Sequence, residues 1–145
     1  MPEDTTDPPD RGPTDTEMLD QIAAHLARTE RFGEIQTRPE YAPNALVADY
    51  DLGYFLGGVS RAYLRIRWFE TDDFSIHYSE QYRTGNEWEC RWDRHPNDDN
   101  TRAHFHSPPD ASTPGEDADY SEDWRDVLAT ILTDLGQRIT AFWDS

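Results

Sequence analysis

Three consecutive segments of this chain alternate strictly between apolar and polar side chains, and very short turn sequences separate them. In residues 62–69 every second position is apolar; residues 87–93 repeat the pattern, and residues 74–81 follow it as far as Ser79. Because the side chains of a strand point alternately to its two faces, this pattern predicts three strands with one buried face each. Turns as short as 71–73 and 84–86 force neighbouring strands to run antiparallel.

Helical periodicity flanks these strands. Residues 16–27 and, over a longer stretch, residues 124–142 carry apolar side chains at three- and four-residue spacing. Ser121 is a suitable N-cap for the second helix, and residues 45–52 and 102–106 predict two further strands, the second a short edge strand. We therefore expect an α+β fold, with a single antiparallel sheet of four to five strands and an N-terminal and a long C-terminal helix packed on one face.

The chain of 145 residues has the length of one domain. Residues 1–15 contain four prolines and five acidic residues, so we expect a disordered acidic tail, followed by a single α+β domain over 16–145 and a linker at 107–120 within it. One cysteine, Cys90, excludes an internal disulfide. No secretion signal and no apolar run of the ~20 residues needed to cross a bilayer is present, which favours a cytoplasmic protein without a membrane.

Lysine is absent, so 13 arginines stand against 30 acidic residues and the net charge is −17. This composition is typical of a protein from an extreme halophile. At about 1 M salt the Debye length is only about 3 Å, so the overall charge does not exclude an anionic partner. The charge is also uneven, because residues 60–106 hold 7 arginines and 9 acids while the rest of the chain holds 6 and 21.

Histidines concentrate in the same central region, and three interpretations compete for them. A metal site could draw on Cys90, His95, His104 and His106, but Cys90 falls on the predicted apolar face and a lone cysteine is unspecific. We therefore expect neither a metal nor another cofactor.

An RNA or phosphate surface is the second interpretation. The polar faces of the predicted strands carry Arg65, Arg67, Arg91 and His77, and guanidinium groups fork onto phosphate. A pair of histidines can exchange protons near neutral pH, as metal-free cleavage at a ribose 2′-hydroxyl requires. Ordinary cross-strand ion pairing of the arginines with Glu89 and Asp93 would instead leave a solvated face.

A protein-interaction surface is the third interpretation. An acidic tail, one exposed sheet face and aromatic edges suit a small non-catalytic interaction or regulatory module equally well.

The segment Arg91-Trp92-Asp93, with Pro96 and then His104-Phe105-His106 before the closing helix, resembles the TumE family of proposed toxins from prokaryotic toxin–antitoxin pairs. The similarity covers roughly the last 85 residues. Where the family has a pair of histidines after the proline, this chain has Asn97 and Asp98. The resemblance implies a toxin-like component with a cognate antitoxin as its partner.

Together, the residues and the resemblance favour a cytoplasmic, haloarchaeal toxin-like protein that acts on RNA, as a metal-independent ribonuclease if it is an enzyme. The expected catalytic group is His95, His104, His106, Arg91 and Asp93, in which Asp93 orients a neighbour. The expected nucleic-acid-binding group is Arg65, Arg67, Arg102 and His77.

Overall fold

The computed structural model describes residues 12–94, 103–113 and 115–144. In chain order its elements are α1 (Thr16–Arg28), β1 (Phe32–Thr37), β2 (Leu46–Tyr50), a short 3₁₀ helix (Leu52–Tyr54), β3 (Val59–Trp68), β4 (Phe74–Tyr82), β5 (Glu87–Arg94), β6 (Ala103–His106), β7 (Glu116–Asp117) and α2 (Trp124–Asp144). The strands form one antiparallel sheet in sequence order. The α+β class is confirmed, but the sheet has seven strands in place of the expected four to five.

The two additional strands carry weak sequence signals. In β1 the register shifts between Phe32 and Glu34, and this bulge interrupts the alternation of buried and exposed residues. Strand β7 is only two acidic residues long and lies within the predicted linker. Since β7 pairs with His104 and Phe105, β6 is not the edge strand that the sequence predicted.

Both helices bury their apolar stripes on the same face of the sheet. Leu19, Ile22 and Leu26 of α1 and Leu128 and Ile131 of α2 are fully buried. They join the apolar side chains of β2 to β5 in one core cluster. Burial of these stripes is the main force that holds the helices in place.

The N-terminal ends of both helices are capped by aspartates. The Asp15 carboxylate accepts the N–H of Met18 at 3.0 Å, and the N–H of Asp15 donates to the carbonyl of Trp68 at 2.9 Å. The last residues of the expected tail thus pair with the end of β3, while residues 1–11 lie outside the described residues. At α2 the Asp123 carboxylate accepts the N–H of Arg125 at 2.9 Å, and Ser121, the predicted cap, accepts the N–H of Asp123.

An ion pair between a fully buried carboxylate and a half-buried arginine fixes α2 to the sheet. Glu80 of β4 is fully buried on the apolar face and accepts two hydrogen bonds from Arg138, at 2.8 and 2.7 Å. The hydroxyls of Tyr78 and Tyr82 donate to the same carboxylate at 2.6 Å each. Burial first, and then the Glu80 charge, raise the pKa of Tyr78 far above its usual range, so this phenol remains a donor.

Within the described residues, neither helix is long and apolar enough to serve as a transmembrane segment.

Candidate nucleic-acid interface on the open sheet face

Four basic side chains lie in one straight row across the sheet. The strand register places Arg65 opposite His77, His77 opposite Arg91, and Arg91 opposite His106. Directly opposite residues have Cβ atoms about 5 Å apart and point to the same face. That face is the one that the helices leave uncovered. We call this face the open face, and the four residues the central row.

Two flanking rows complete the open face between β3 and β6. On one side Tyr63, Ser79 and Glu89 lie opposite one another. On the other side Ser75, Asp93 and His104 do so. Acidic residues therefore lie diagonally next to the basic central row, close enough to pair with it.

His77 is held at one ring nitrogen by Glu89. Its Nε2 lies 2.6 Å from Oε1 of Glu89, while its Nδ1 is buried and has no hydrogen-bond partner among the residues that the structure describes. Burial lowers the pKa of His77, and the positive charges of Arg65 and Arg91 lower it further, against the opposing effect of Glu89. The favoured form is a neutral ring that donates its Nε2–H to Glu89 and carries its lone pair on Nδ1.

Asp93 connects the other two members of the central row. Its Oδ2 lies 2.9 Å from Nε of Arg91 and 3.1 Å from Nε2 of His106. The Nδ1 of His106 lies 3.0 Å from the carbonyl oxygen of Ser112, which can only accept. His106 and Arg91 thus share one carboxylate. The second oxygen, Oδ1, is buried and has no partner among the described residues.

The chain after β6 folds over this end of the row. The N–H of Glu89 donates to the carbonyl of Pro109 at 2.8 Å, and Ala111 returns a hydrogen bond to Glu89. A Cβ atom at Gly115 would lie 2.9 Å from Cε1 of His106, so only glycine allows so close an approach. His106 is consequently 8% exposed, whereas the Arg65 end of the row is open.

Two further expected site residues, Arg67 and His104, lie in the flanking row that contains Asp93. Nε2 of His104 lies 3.8 Å from Asp117 of β7, and the Arg67 guanidinium lies 5.2 Å from the centre of the Phe69 ring. His95 and Arg102 lie outside the described residues. The structure thus groups His77 with Arg65 and Arg91, and separately groups Asp93 with Arg91 and His106.

The ligand types considered for a metal site do not converge. Cys90 is 2% exposed in the core on the helix side of the sheet, whereas His104 and His106 lie on the open face. Burial raises the pKa of Cys90 to about 12, so the thiol is protonated. Within residues 12–94, 103–113 and 115–144, no group of three potential ligands is close enough to hold a metal ion.

Sequence reasoning missed the partner of His77. Glu89 was expected to pair with an arginine, whereas it holds the histidine. The sequence does contain information on this contact. The three-residue turn at 84–86 sets a strand register that puts Arg91 opposite His77 and Glu89 in the neighbouring row. The alternative of cross-strand ion pairing on the open face is met in part, because Arg91 pairs with Asp93.

A protein family matches most of this chain. The family model described as Toxin TumE matches residues 20–139, from within α1 to within α2. The chain belongs to the TumE toxin family. The match covers the whole sheet, including the central row, and supports a toxin-like role. No curated protein and no solved structure matches the chain.

Proposed function

We propose that this TumE family member is a cytoplasmic toxin that cleaves RNA on its open face and is neutralised by a cognate antitoxin. The observation that carries the proposal is His77, a neutral imidazole fixed by Glu89 and placed between two arginines. The proposal rests on this geometry together with the family membership.

Arg65 and Arg91 provide the phosphate contacts. Each lies one strand spacing, about 4.8 Å, from His77, on opposite sides of it. Guanidinium groups fork onto phosphate oxygens. A phosphate bound between the two arginines therefore lies directly above the imidazole ring.

His77 is the proposed general base. Its Nδ1 removes the proton of a ribose 2′-hydroxyl, and the 2′ oxygen attacks the adjacent phosphorus while the bond from phosphorus to the 5′ oxygen breaks. The products are a 2′,3′-cyclic phosphate and a free 5′-hydroxyl. Glu89 stabilises the imidazolium that forms, through the hydrogen bond it already accepts from Nε2.

A second group must donate a proton to the leaving 5′ oxygen. We assign this role to His104, in the row next to Arg91, with His95 of the expected catalytic group as its alternative. His106 and Asp93 take positioning roles, because both nitrogens of His106 face acceptors and Asp93 holds Nε of Arg91.

Substrate binding has to uncover the base, because the Nδ1 atom of His77 is buried in the unliganded protein. Arg65 is exposed and has no ion-pair partner in the described part of the chain. It is therefore the side chain that can move toward a phosphate at least cost. Hydrogen bonds of catalytic groups commonly tighten only in the substrate complex.

The test is inducible expression in a halophilic host of the wild type and of His77→Gln, with growth and RNA integrity as readouts. Glutamine keeps a donor toward Glu89 but is not a base at neutral pH. We expect growth arrest and RNA fragmentation only with the wild type, and relief of both when the neighbouring antitoxin gene is expressed. His25→Gln is the matched control, since His25 lies on the helix side of the sheet against Trp124.

Purified proteins separate the alternatives. Incubation with total RNA in molar KCl should give fragments ending in 2′,3′-cyclic phosphate with the wild type and His25→Gln only. A folded His77→Gln protein that still cuts RNA would remove His77 as the base. Wild-type protein that arrests growth and leaves RNA intact would favour a non-catalytic interaction module.

A further inference from the structure

A concavity lies beside the central row, next to the β1–β2 hairpin. It has a volume of about 410 Å³ and lies where the edge strands carry polar side chains on the open face. We call it the hairpin cavity. Its lining includes Glu34, Gln36, Tyr41, Asp49 and Arg61.

The charge of the hairpin cavity disfavours phosphate. Glu34 and Asp49 lie directly opposite each other, an arrangement in which like charges repel. Arg61 compensates Asp49, with its Nε 2.6 Å from the carboxylate. Glu34 is exposed and has no cationic partner within the residues the structure describes. One carboxylate therefore remains to accept hydrogen bonds from a ligand.

Tyr41 gives the hairpin cavity a flat aromatic wall. This side chain is 66% exposed, and its hydroxyl makes one long contact, 3.4 Å, with Oε1 of Gln36. An exposed tyrosine ring beside hydrogen-bonding groups is a surface on which planar heterocycles stack.

A chain of side-chain contacts joins the hairpin cavity to the central row. The Arg61 guanidinium lies 4.2 Å from the centre of the Tyr63 ring, and that ring meets His77 edge-on at 6.4 Å. A strand of RNA with its phosphate on Arg65 can therefore continue across Tyr63 toward the cavity.

We propose that the hairpin cavity binds a guanine base of the RNA strand, an inference that rests on the proposed function. The carboxylate of Glu34 accepts two adjacent N–H donors. Guanine presents such a pair, at N1 and the 2-amino group, whereas the pairing edges of adenine, cytosine and uracil have no two adjacent donor groups. The base stacks on Tyr41, a contact that survives the salt that weakens phosphate binding.

The test uses the full chain and fluorescein-labelled 2′-O-methyl tetranucleotides that differ in one base and cannot be cleaved. Fluorescence anisotropy in molar KCl measures their Kd values. We expect about tenfold tighter binding of the guanine form than of the other three, and loss of that preference in Glu34→Gln. Tyr41→Ala should weaken all four by about tenfold while Tyr41→Phe does not. Glu40→Gln, an exposed carboxylate of the same hairpin, is the control.

Each result bears on one proposal or on both. Equal binding of all four bases by the wild type, or a guanine preference retained in Glu34→Gln, overturns the guanine site. If the preference is present but RNA stays intact, the cavity proposal stands and the cleavage proposal falls. If His77 is needed for RNA cleavage but binding shows no base preference, the cleavage proposal stands and the cavity proposal falls. If none of the tetranucleotides binds, both proposals are overturned.

Discussion

The two histidines of the central row have opposite surroundings although they lie two strands apart on one face. Burial and the two guanidinium groups lower the pKa of His77 and favour its neutral form, against the opposing effect of Glu89. His106 instead has an acceptor at each nitrogen, the Asp93 carboxylate and the Ser112 carbonyl. The surroundings of His77 therefore suit a general base, whereas those of His106 suit a positioning role.

The lowered pKa of His77 makes a prediction about stability. Because the folded pKa lies below the unfolded value of about 6.5, the unfolded chain binds more protons at acid pH. The contribution of neutral His77 is fully present above about pH 6.5 and is lost as the pH falls toward the folded pKa. We expect the free energy of unfolding to fall less in His77→Gln than in the wild type between about pH 7 and pH 5.

Urea unfolding at several pH values, followed by tryptophan fluorescence, measures this difference. The other histidines are the same in both proteins, so their titration cancels in the comparison, and His25→Gln again serves as the control. An equal or steeper decline in His77→Gln would mean that folding does not favour the neutral ring.

At the scale of elements, the pairing of α2 with β4 depends on a charged pair inside an apolar layer. The Arg138 guanidinium spans the space between the Glu80 carboxylate and the face of Trp88, 3.3 Å from the ring centre. Two tyrosine hydroxyls satisfy the remaining acceptor capacity of the carboxylate. A buried pair of this kind is costly to break, because the remaining charge has no compensation.

Removing one partner should therefore destabilise the protein more than removing both charges. We expect Arg138→Met to cost about 3–5 kcal/mol in the free energy of unfolding. The double variant Glu80→Gln/Arg138→Met should recover part of this loss, since the amide oxygen accepts from one tyrosine hydroxyl, the amide N–H donates to the other, and no charge remains buried. Urea titrations of the wild type and the two variants at neutral pH test both statements.

Arg125→Ala is the matched control, because this arginine of the same helix is exposed and its ion pair is with the solvent-facing Asp123. A single variant within about 1 kcal/mol of the wild type, or a double variant less stable than the single one, would contradict the role given to the buried pair.

How far the sequence predicted these elements depended on the regularity of their patterns. Residues 62–69, 74–79 and 87–93 alternate within strands β3, β4 and β5, and short turns set their register. Glu80 lies on the buried face of β4, although a carboxylate usually indicates a solvent-facing position. Its partner Arg138 lies 58 residues later in the chain, so the sequence pattern did not reveal the pair. The hairpin cavity could not be predicted either, because part of its lining comes from β1. The bulge in β1 breaks the alternation of residues that would indicate a strand.

At the scale of the whole molecule, the charge distribution separates the solvated flanks from the candidate site. The region from 60 to 106 has a net charge of −2 (7 Arg, 9 acids), and the rest of the chain has −15 (6 Arg, 21 acids). The family match supports a toxin-like role, whereas the origin in a halophile remains a prediction from composition. A net charge of this size opposes the compact state by self-repulsion unless salt screens it.

Stability should consequently rise with salt. The Debye length falls from about 10 Å at 0.1 M to about 3 Å at 1 M, which removes repulsion between most surface carboxylates. We expect the free energy of unfolding to increase between about 0.1 M and 2 M KCl, and to increase less when three exposed carboxylates are neutralised as Glu30→Gln, Glu40→Gln and Glu122→Gln. These changes bring the net charge from −17 to −14 without touching the central row. Urea unfolding at each KCl concentration measures the free energy of unfolding of both proteins. If that of the wild type stays constant or falls as KCl rises, screening of charge repulsion does not stabilise the fold.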